Sequence, residues 1–506
     1  MEKMNTAINS YERKLIIRGL NCQEVNKVVS IKSLTGREGS CYIREEMQKF
    51  VHGNERRMSM APKTLEDALT YLFLHNTVKK DLQEGRIPVI VRGEGNYIFD
   101  EDGNRYLDLM AGNTRPNAIG YGREEVAKAM YDQARTMHYY SPAFYITTPA
   151  VALAKKLASL YPGELTTTCF VCDGSEAVES AFKIAKQYHY FANKQRRFKI
   201  ISRQNAYHGQ TMGALSALGY LNPMRNVMAP LVPGHAFLVP PYCYRCPLNL
   251  TYPACDLACA DALDSLIKFE GPDLVAAFIA ETVMQGVGAL PPPDGYFDRI
   301  RQICDQYGVL LIIDEVIVGF GRTGKMFASE HYNIKPDIMT MAKQLTGGYA
   351  PLGAAAATRK IAEDIPTFLH LHTFGNHPVC CAAALANLEI IERENLVVNA
   401  AAMGKIFLEG LKELQKHPIA GEARGLGLWC ALEIVQDKKK RTPFPAKENI
   451  LSQLTLAGKA NGVIIRGMGN SALEFAPPLT ITRKEVEEGL KAIDQSLYEV
   501  EKNLGQ

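Results

Sequence analysis

The feature that most constrains the fold is the unbroken apolar run Val309-Leu-Leu-Ile-Ile313, closed by Asp314. A half-solvated strand alternates apolar and polar residues, whereas this run is apolar in both phases, as a strand covered on both faces of a parallel sheet must be. Val275-Ala-Ala-Phe-Ile-Ala280 repeats the pattern and is closed by Glu281. Open α/β sheets bind ligands outside the carboxyl ends of their strands, so both acids are expected on a ligand-facing rim. A third apolar stretch, Met339-Thr-Met-Ala342, leads in the same way into Lys343.

Between residues 121 and 390 helical and strand patterns alternate, with helices expected at 151–159, 176–190 and 297–307 and strands at 169–172, 198–202, 275–279 and 309–313. That order predicts an α/β fold: a mostly parallel sheet flanked by helices. Before it, Leu65, Ala68, Leu69 and Leu72 have helical spacing, and 87–108 reads as strands joined by Gly and Asp-Gly turns, a small antiparallel meander. After it, helices at 400–416 and 485–503 surround short strands at 428–434 and 463–465. We therefore expect an amino-terminal extension at 1–62 with local helix near 42–51, a large domain at 121–390, and a smaller α+β domain built from 63–120 and 391–506.

The 506 residues are 47% hydrophobic, enough for a large core, and their net charge of +3 includes no long single-sign run. A nucleic-acid partner is thereby disfavoured, and small molecules are the expected partners. Met1 to Leu20 mix acids with bases and hold no apolar stretch long enough for a secretory signal or a membrane span, and the acids argue against a mitochondrial presequence. Twelve cysteines are scattered along the chain, several of them, such as Cys304, Cys380, Cys381 and Cys430, inside apolar patterns. Reduced thiols and a cytoplasmic location are expected. Cys243, Cys246, Cys255 and Cys259 alone are clustered; four thiolates at such spacings can close a tetrahedral zinc site, although the second spacing is loose and no metal is the preferred reading.

Five motifs carry the chemistry. Gly174 and Ser175 stand between a strand and a helix, where first-turn amides and the helix dipole favour a phosphate. Tyr207 can stack on a planar ring, while His208 beside it is read as packing a loop. Glu281 and Asp314 follow successive buried strands, and Lys343 follows the next. An acid to pair with a pyridinium nitrogen and a lysine to form a Schiff base are what pyridoxal 5′-phosphate chemistry requires. Asp314 and Lys343 are thus the catalytic candidates, Lys343 also as the general base.

In this order, with Asp314-Glu-Val, Gly319-Phe-Gly-Arg-Thr-Gly324, Pro336-Asp-Ile and Ala342-Lys343, the motifs resemble the class III (subgroup II) pyridoxal-phosphate aminotransferases, from about residue 66 to the end. The resemblance implies fold type I and cofactor contacts from Gly174, Ser175, Tyr207, Glu281, Asp314, Val316 and Lys343. It implies that Thr373 reaches the phosphate of a neighbouring subunit, hence a homodimer or a dimer of dimers, and that Arg424 grips a substrate carboxylate. Arg115 and Tyr145 fall in loops implied to border the substrate; Arg115 is read either as holding a distal carboxylate or sulfonate or as a loop arginine in solvent.

Two departures bear on specificity. Ornithine- and GABA-type members carry a glutamate at the place of Gly286, and a glutamine often follows Asp-Glu-Val where this chain has Ile317. Both make the chain similar to the ω-amino acid or amine:pyruvate branch. The expected reaction is transfer of an amino group from an ω-amino acid or primary amine to an oxo acid, preferably pyruvate, through the pyridoxamine form. A racemase or aminomutase on the same scaffold is the alternative, and a non-catalytic scaffold a more distant one.

Overall fold

The computed structural model describes residues 65–505 apart from Gly85 and Leu221. The extension at 1–62, with its expected helix near 42–51, lies outside the described residues. Two compact units meet in sequence between Val89 and Ile90. In the first, the helical spacing of Leu65, Ala68 and Leu69 becomes the helix Leu65–Tyr71, and a second helix covers Lys79–Gln83.

The second unit opens with β1 (Ile90–Glu94), β2 (Tyr97–Asp100) and β3 (Arg105–Asp108), paired antiparallel in that order as the turn signals predict. The β1–β2 turn passes through Gly95 at φ +56°, a conformation cheap only for glycine.

Seven strands then build the central sheet: β4 (Leu165–Val171), β5 (Lys199–Arg203), β6 (His235–Leu238), β7 (Val275–Glu281), β8 (Leu310–Asp314), β9 (Ile338–Met341) and β10 (Gly353–Thr358). Their spatial order is β4-β10-β9-β8-β7-β5-β6. The run from β9 to β6 is parallel, while β10 is antiparallel to both neighbours. The sheet is therefore mostly parallel, and the exception has a local cause. Parallel neighbours need a long crossover, usually a helix, but residues 342–352 hold only the 3₁₀ turn Lys343–Leu345, so the chain doubles back.

β7 and β8 are buried along their whole length, as their two-phase apolar runs require. Leu311 and Ile313 pack with Phe297, Ile300 and Cys304 of the helix Tyr296–Tyr307, whereas Leu310 and Ile312 pack with Val178, Ala181 and Ala185 of the helix Gly174–Phe191. Two helical layers thus clamp the strands and leave their carboxyl ends as the open rim.

A second antiparallel sheet follows, β11 (Ala420–Leu426), β12 (Trp429–Ile434), β14 (Arg466–Met468) and β15 (Ala472–Phe475), in the order β11-β12-β15-β14. Between them in sequence, β13 (Val463–Ile464) pairs in parallel with β3, Val463 opposite Leu107. The long helices Leu396–Glu413 and Arg483–Leu504 accompany these strands. The ten described cysteines are free thiols. No described helix is long and apolar enough to cross a membrane.

Candidate active site

Three parallel strands end level with one another, since Glu281 is in register with Asp314, and Asp314 with Thr340. Asp314 is buried and richly bonded. Its Oδ1 accepts from the Val316 amide at 3.0 Å and from the Thr340 hydroxyl at 3.0 Å, and its Oδ2 lies 2.7 Å from His208 Nδ1. His208 is therefore more than loop packing: buried itself, it fixes the orientation of Asp314, a role the sequence reading missed. The only local signal was its place just after β5. Glu281 Oε1 accepts from the Gln285 amide at 3.0 Å, while its buried Oε2 has no hydrogen-bond partner. Burial pushes the Glu281 carboxyl up to about 7 against the opposing pull of His208 and Arg203.

Lys343 leaves β9 on the tight link to β10 with φ +49°, a strained value for a residue with a side chain. Burial, reinforced by the charges of Arg115 and Arg466 and only partly offset by Asp314, lowers its amine to about 7. A large share of the amine is then neutral and nucleophilic near neutrality.

Across the rim the helix Gly174–Phe191 begins after Asp173, whose carboxylate caps the Glu176 amide at 2.8 Å. Two glycines keep this corner open. A Cβ on Gly174 would meet Val316 Cγ1 at 2.7 Å, and one on Gly209, at φ +119°, would meet Ser175 Oγ at 2.6 Å. Ser175 Oγ accepts from the Gln210 amide at 3.2 Å. The result is a cleft of about 460 Å³ with Gly174 and Ser175 at the helix end, Glu281 and Asp314 at the strand ends, Tyr207 and Val316 on its walls, and Lys343 within it. Unpartnered polar atoms on Glu281 Oε2 and His208 Nε2, an anion-binding helix terminus and a neutral-leaning lysine together fit a phosphorylated, ring-nitrogen aldehyde.

The remaining candidates lie elsewhere. Arg115, at φ +71°, is only 2% exposed, so the solvent reading is wrong; its Nη1 bonds Glu474 Oε2 at 2.7 Å beside the Trp429 ring. Arg424 is also buried and fully engaged. Its guanidinium pairs with Glu433 at 2.6 Å and Glu422 at 3.0 Å and donates to the carbonyls of Gly288 at 2.8 Å and of Val287. Neither arginine lines the cleft in this state. Thr373 and Tyr145 are exposed and outside this chain's own cleft, in two segments that touch: Tyr139 donates to the Thr373 carbonyl at 2.8 Å, and the rings of Tyr139 and Phe374 are 5.8 Å apart. The four clustered cysteines border one small hollow. Among the described residues, however, no group of three or more His, Cys, Asp or Glu side chains is arranged to hold a metal ion, so the zinc reading gains no support. Gly286 has a steric reason: a Cβ there would sit 2.1 Å from the Asn205 carbonyl oxygen.

Residues 81–497 match the family model for class-III aminotransferases. The chain belongs to that family. It is 38% identical to the taurine–pyruvate aminotransferase of Bilophila wadsworthia over 464 residues, covering 86% of this chain and 97% of the relative. An (S)-enantioselective omega-transaminase from Thermomicrobium roseum superposes with a TM-score of 0.83 at 38% identity, covering 86% of this chain and 98% of that one. An omega transaminase from Pseudomonas jessenii, solved in complex with PMP, gives a TM-score of 0.83 at 34% identity over 87% of this chain and 98% of its own. The protein is thus an aminotransferase of fold type I that works with pyridoxal 5′-phosphate, and a racemase or a silent scaffold is not favoured.

Proposed function

We propose that this aminotransferase moves an amino group from an ω-amino acid or primary amine to pyruvate. The observation that carries this reading is Gly286: the place of the glutamate typical of ornithine- and GABA-type members is closed here by the Asn205 carbonyl. Similarity to a taurine–pyruvate aminotransferase and to omega-transaminases supports it.

Pyridoxal 5′-phosphate supplies an aldehyde and an electron-withdrawing ring, so that an amino group taken from one substrate can be stored and passed to another. The amides of Gly174 and Ser175 would hold its phosphate, Tyr207 and Val316 would enclose its ring, and Glu281 would lie beside it. Asp314, oriented by His208 and Thr340, would keep a proton on the ring nitrogen. Lys343 Nζ, neutral in part at pH 7, would take the proton from the substrate Cα and deliver it to the carbon on the far side of the transferred nitrogen. Arg424, once released from Glu433 and Glu422, would grip the carboxylate of the oxo acid as a planar fork.

The site is read as completed by a second copy of the chain. Thr373 would serve the neighbour's phosphate, and Tyr145 would border the neighbour's substrate. Exposed apolar side chains at Phe144, Ile146, Leu369, Leu371 and Phe374 give the two touching segments the character of an interface. Of the smaller domain read at 63–120 and 391–506, the pairing of β13 with β3 supports the part from Ile90 onward. A cytoplasmic location agrees with the free thiols of the described cysteines.

The test is a donor panel against pyruvate, 2-oxoglutarate and glyoxylate, with the product amino acid measured by chromatography. Alanine should form faster than glutamate or glycine. Absence of alanine with every donor, or a clear preference for 2-oxoglutarate, would overturn the reading.

A further inference from the structure

We propose that Arg245, on the turn of the cysteine-bearing loop, is a positioning residue that sets how readily Arg424 leaves its buried partner to reach a substrate carboxylate. This deepens the reading of Arg424 as the carboxylate-gripping group and rests on it. Arg424 lies outside the cleft lining and is paired with Glu433 at 2.6 Å, both groups being buried. To serve a substrate it has to give up that partner. A buried carboxylate left without a cation is strongly destabilising, so a Glu433 with no other support would hold Arg424 in place.

Glu433 has that support. Its Oε1 accepts from Arg245 Nη1 at 2.5 Å and from the Ser471 hydroxyl, while its Oε2 accepts from the Tyr242 hydroxyl at 3.1 Å as well as from Arg424. Two cations thus share one carboxylate, one on each oxygen, and when Arg424 departs Arg245 keeps the charge paired. Glu422, the second acid on Arg424, needs no such help because its side chain reaches solvent. The loop is built to hold Arg245 there. Its 3₁₀ turn Cys243–Arg245 docks on the edge strand β11 so closely that a Cβ on Gly421 would meet the Tyr244 hydroxyl at 2.7 Å. Arg245 Nε donates to the Arg441 carbonyl at 2.7 Å, and Arg441 Nη1 donates back to the Tyr244 carbonyl at 2.8 Å. Tyr242 stands beside both guanidiniums: its hydroxyl accepts from Arg245 Nη1 at 3.3 Å, and its ring centroid is 5.5 Å from the Arg424 guanidinium carbon. A loop that borders no part of the cleft is thereby coupled to substrate binding.

The experiment compares holoenzyme of wild type, Arg245→Gln, Arg245→Lys, Arg424→Gln and the double variant Arg245→Gln/Glu433→Gln. First, 2-methylpropanoate, a carboxylate with no amino or oxo group to react, is titrated by calorimetry. Affinity should fall about ten- to hundredfold in Arg245→Gln, where Arg424 is trapped, and recover in part in Arg245→Lys. It should also recover in the double variant, which has no carboxylate at 433 to trap Arg424, and be lost in Arg424→Gln. Second, the two half-reactions are timed separately. In Arg245→Gln the KM for pyruvate should rise by a similar factor with kcat little changed, while the half-reaction of n-propylamine, which has no carboxylate, should stay within about threefold of wild type. A merely structural role would impair both half-reactions and would not be rescued by the second substitution. Unchanged titration in Arg245→Gln, no recovery in the double variant, or no binding to wild type overturns the proposal. Unchanged titration in Arg424→Gln removes the reading of Arg424 and the proposal with it. Intact, Arg245-dependent binding without alanine formation would count against the transaminase reading alone.

Discussion

At the scale of single residues, Asp314 and Lys343 differ in what secures them. Asp314 is held by three hydrogen bonds, so Asp314→Asn should preserve the fold while kcat falls about 10²–10³-fold, because an amide cannot keep a proton on the ring nitrogen. Near wild-type turnover in that variant would remove Asp314 from its role. Lys343, partly buried in the cleft and without a side-chain hydrogen bond among the described residues, leaves a pH trace in the cofactor-free protein. Its amine is lowered from 10.5 to about 7, so between those values the unfolded chain binds more protons than the folded one. Stability of the apoenzyme should therefore rise as pH goes from about 7 to about 10.5, and Lys343→Met should flatten that rise. Thermal melts of both apoproteins across this range check it; parallel curves would sink the assignment. These two residues were legible because each closes an apolar run. His208 was not: its partner lies 106 positions away, and nothing in Tyr207-His208-Gly209 distinguishes a buried bond to Asp314 from a loop contact.

At the scale of elements, the loop after β7 makes the sharpest prediction. Gly286→Glu should not install the specificity of ornithine- or GABA-type enzymes; it should cost about 1–3 kcal/mol of stability through overpacking against the Asn205 carbonyl, read from denaturant midpoints. A stable Gly286→Glu protein that turns to 2-oxoglutarate would contradict this. The strands themselves were readable from periodicity, since Leu310 and Ile312 serve one helical layer and Leu311 and Ile313 the other. The reversed direction of β10 was not, because it follows from the shortness of 342–352 rather than from any residue pattern. The pairs Arg115–Glu474 and Arg424–Glu433 escaped for a related reason: each joins a recognisable arginine to a glutamate whose strand carries no motif.

At the scale of the whole molecule, the cleft of one chain lacks Thr373, which sits in an exposed apolar segment. A mixture of Lys343→Ala and Thr373→Asp proteins, unfolded and refolded together, should regain about a quarter of wild-type activity, because half the dimers would carry one site with both residues intact. Each variant refolded alone should stay inactive, and failure of the mixture to recover would place both residues in one chain's site. The crowding at Gly286 has a historical consequence as well. No single codon change can carry this enzyme across to the glutamate-bearing branch, because the Asn205 turn has to withdraw before any side chain fits. Backbone remodelling at Asn205 is therefore expected to precede or accompany any substitution at Gly286. Laboratory selections that mutate the substrate pocket alone are expected to return repeatedly to glycine at this position.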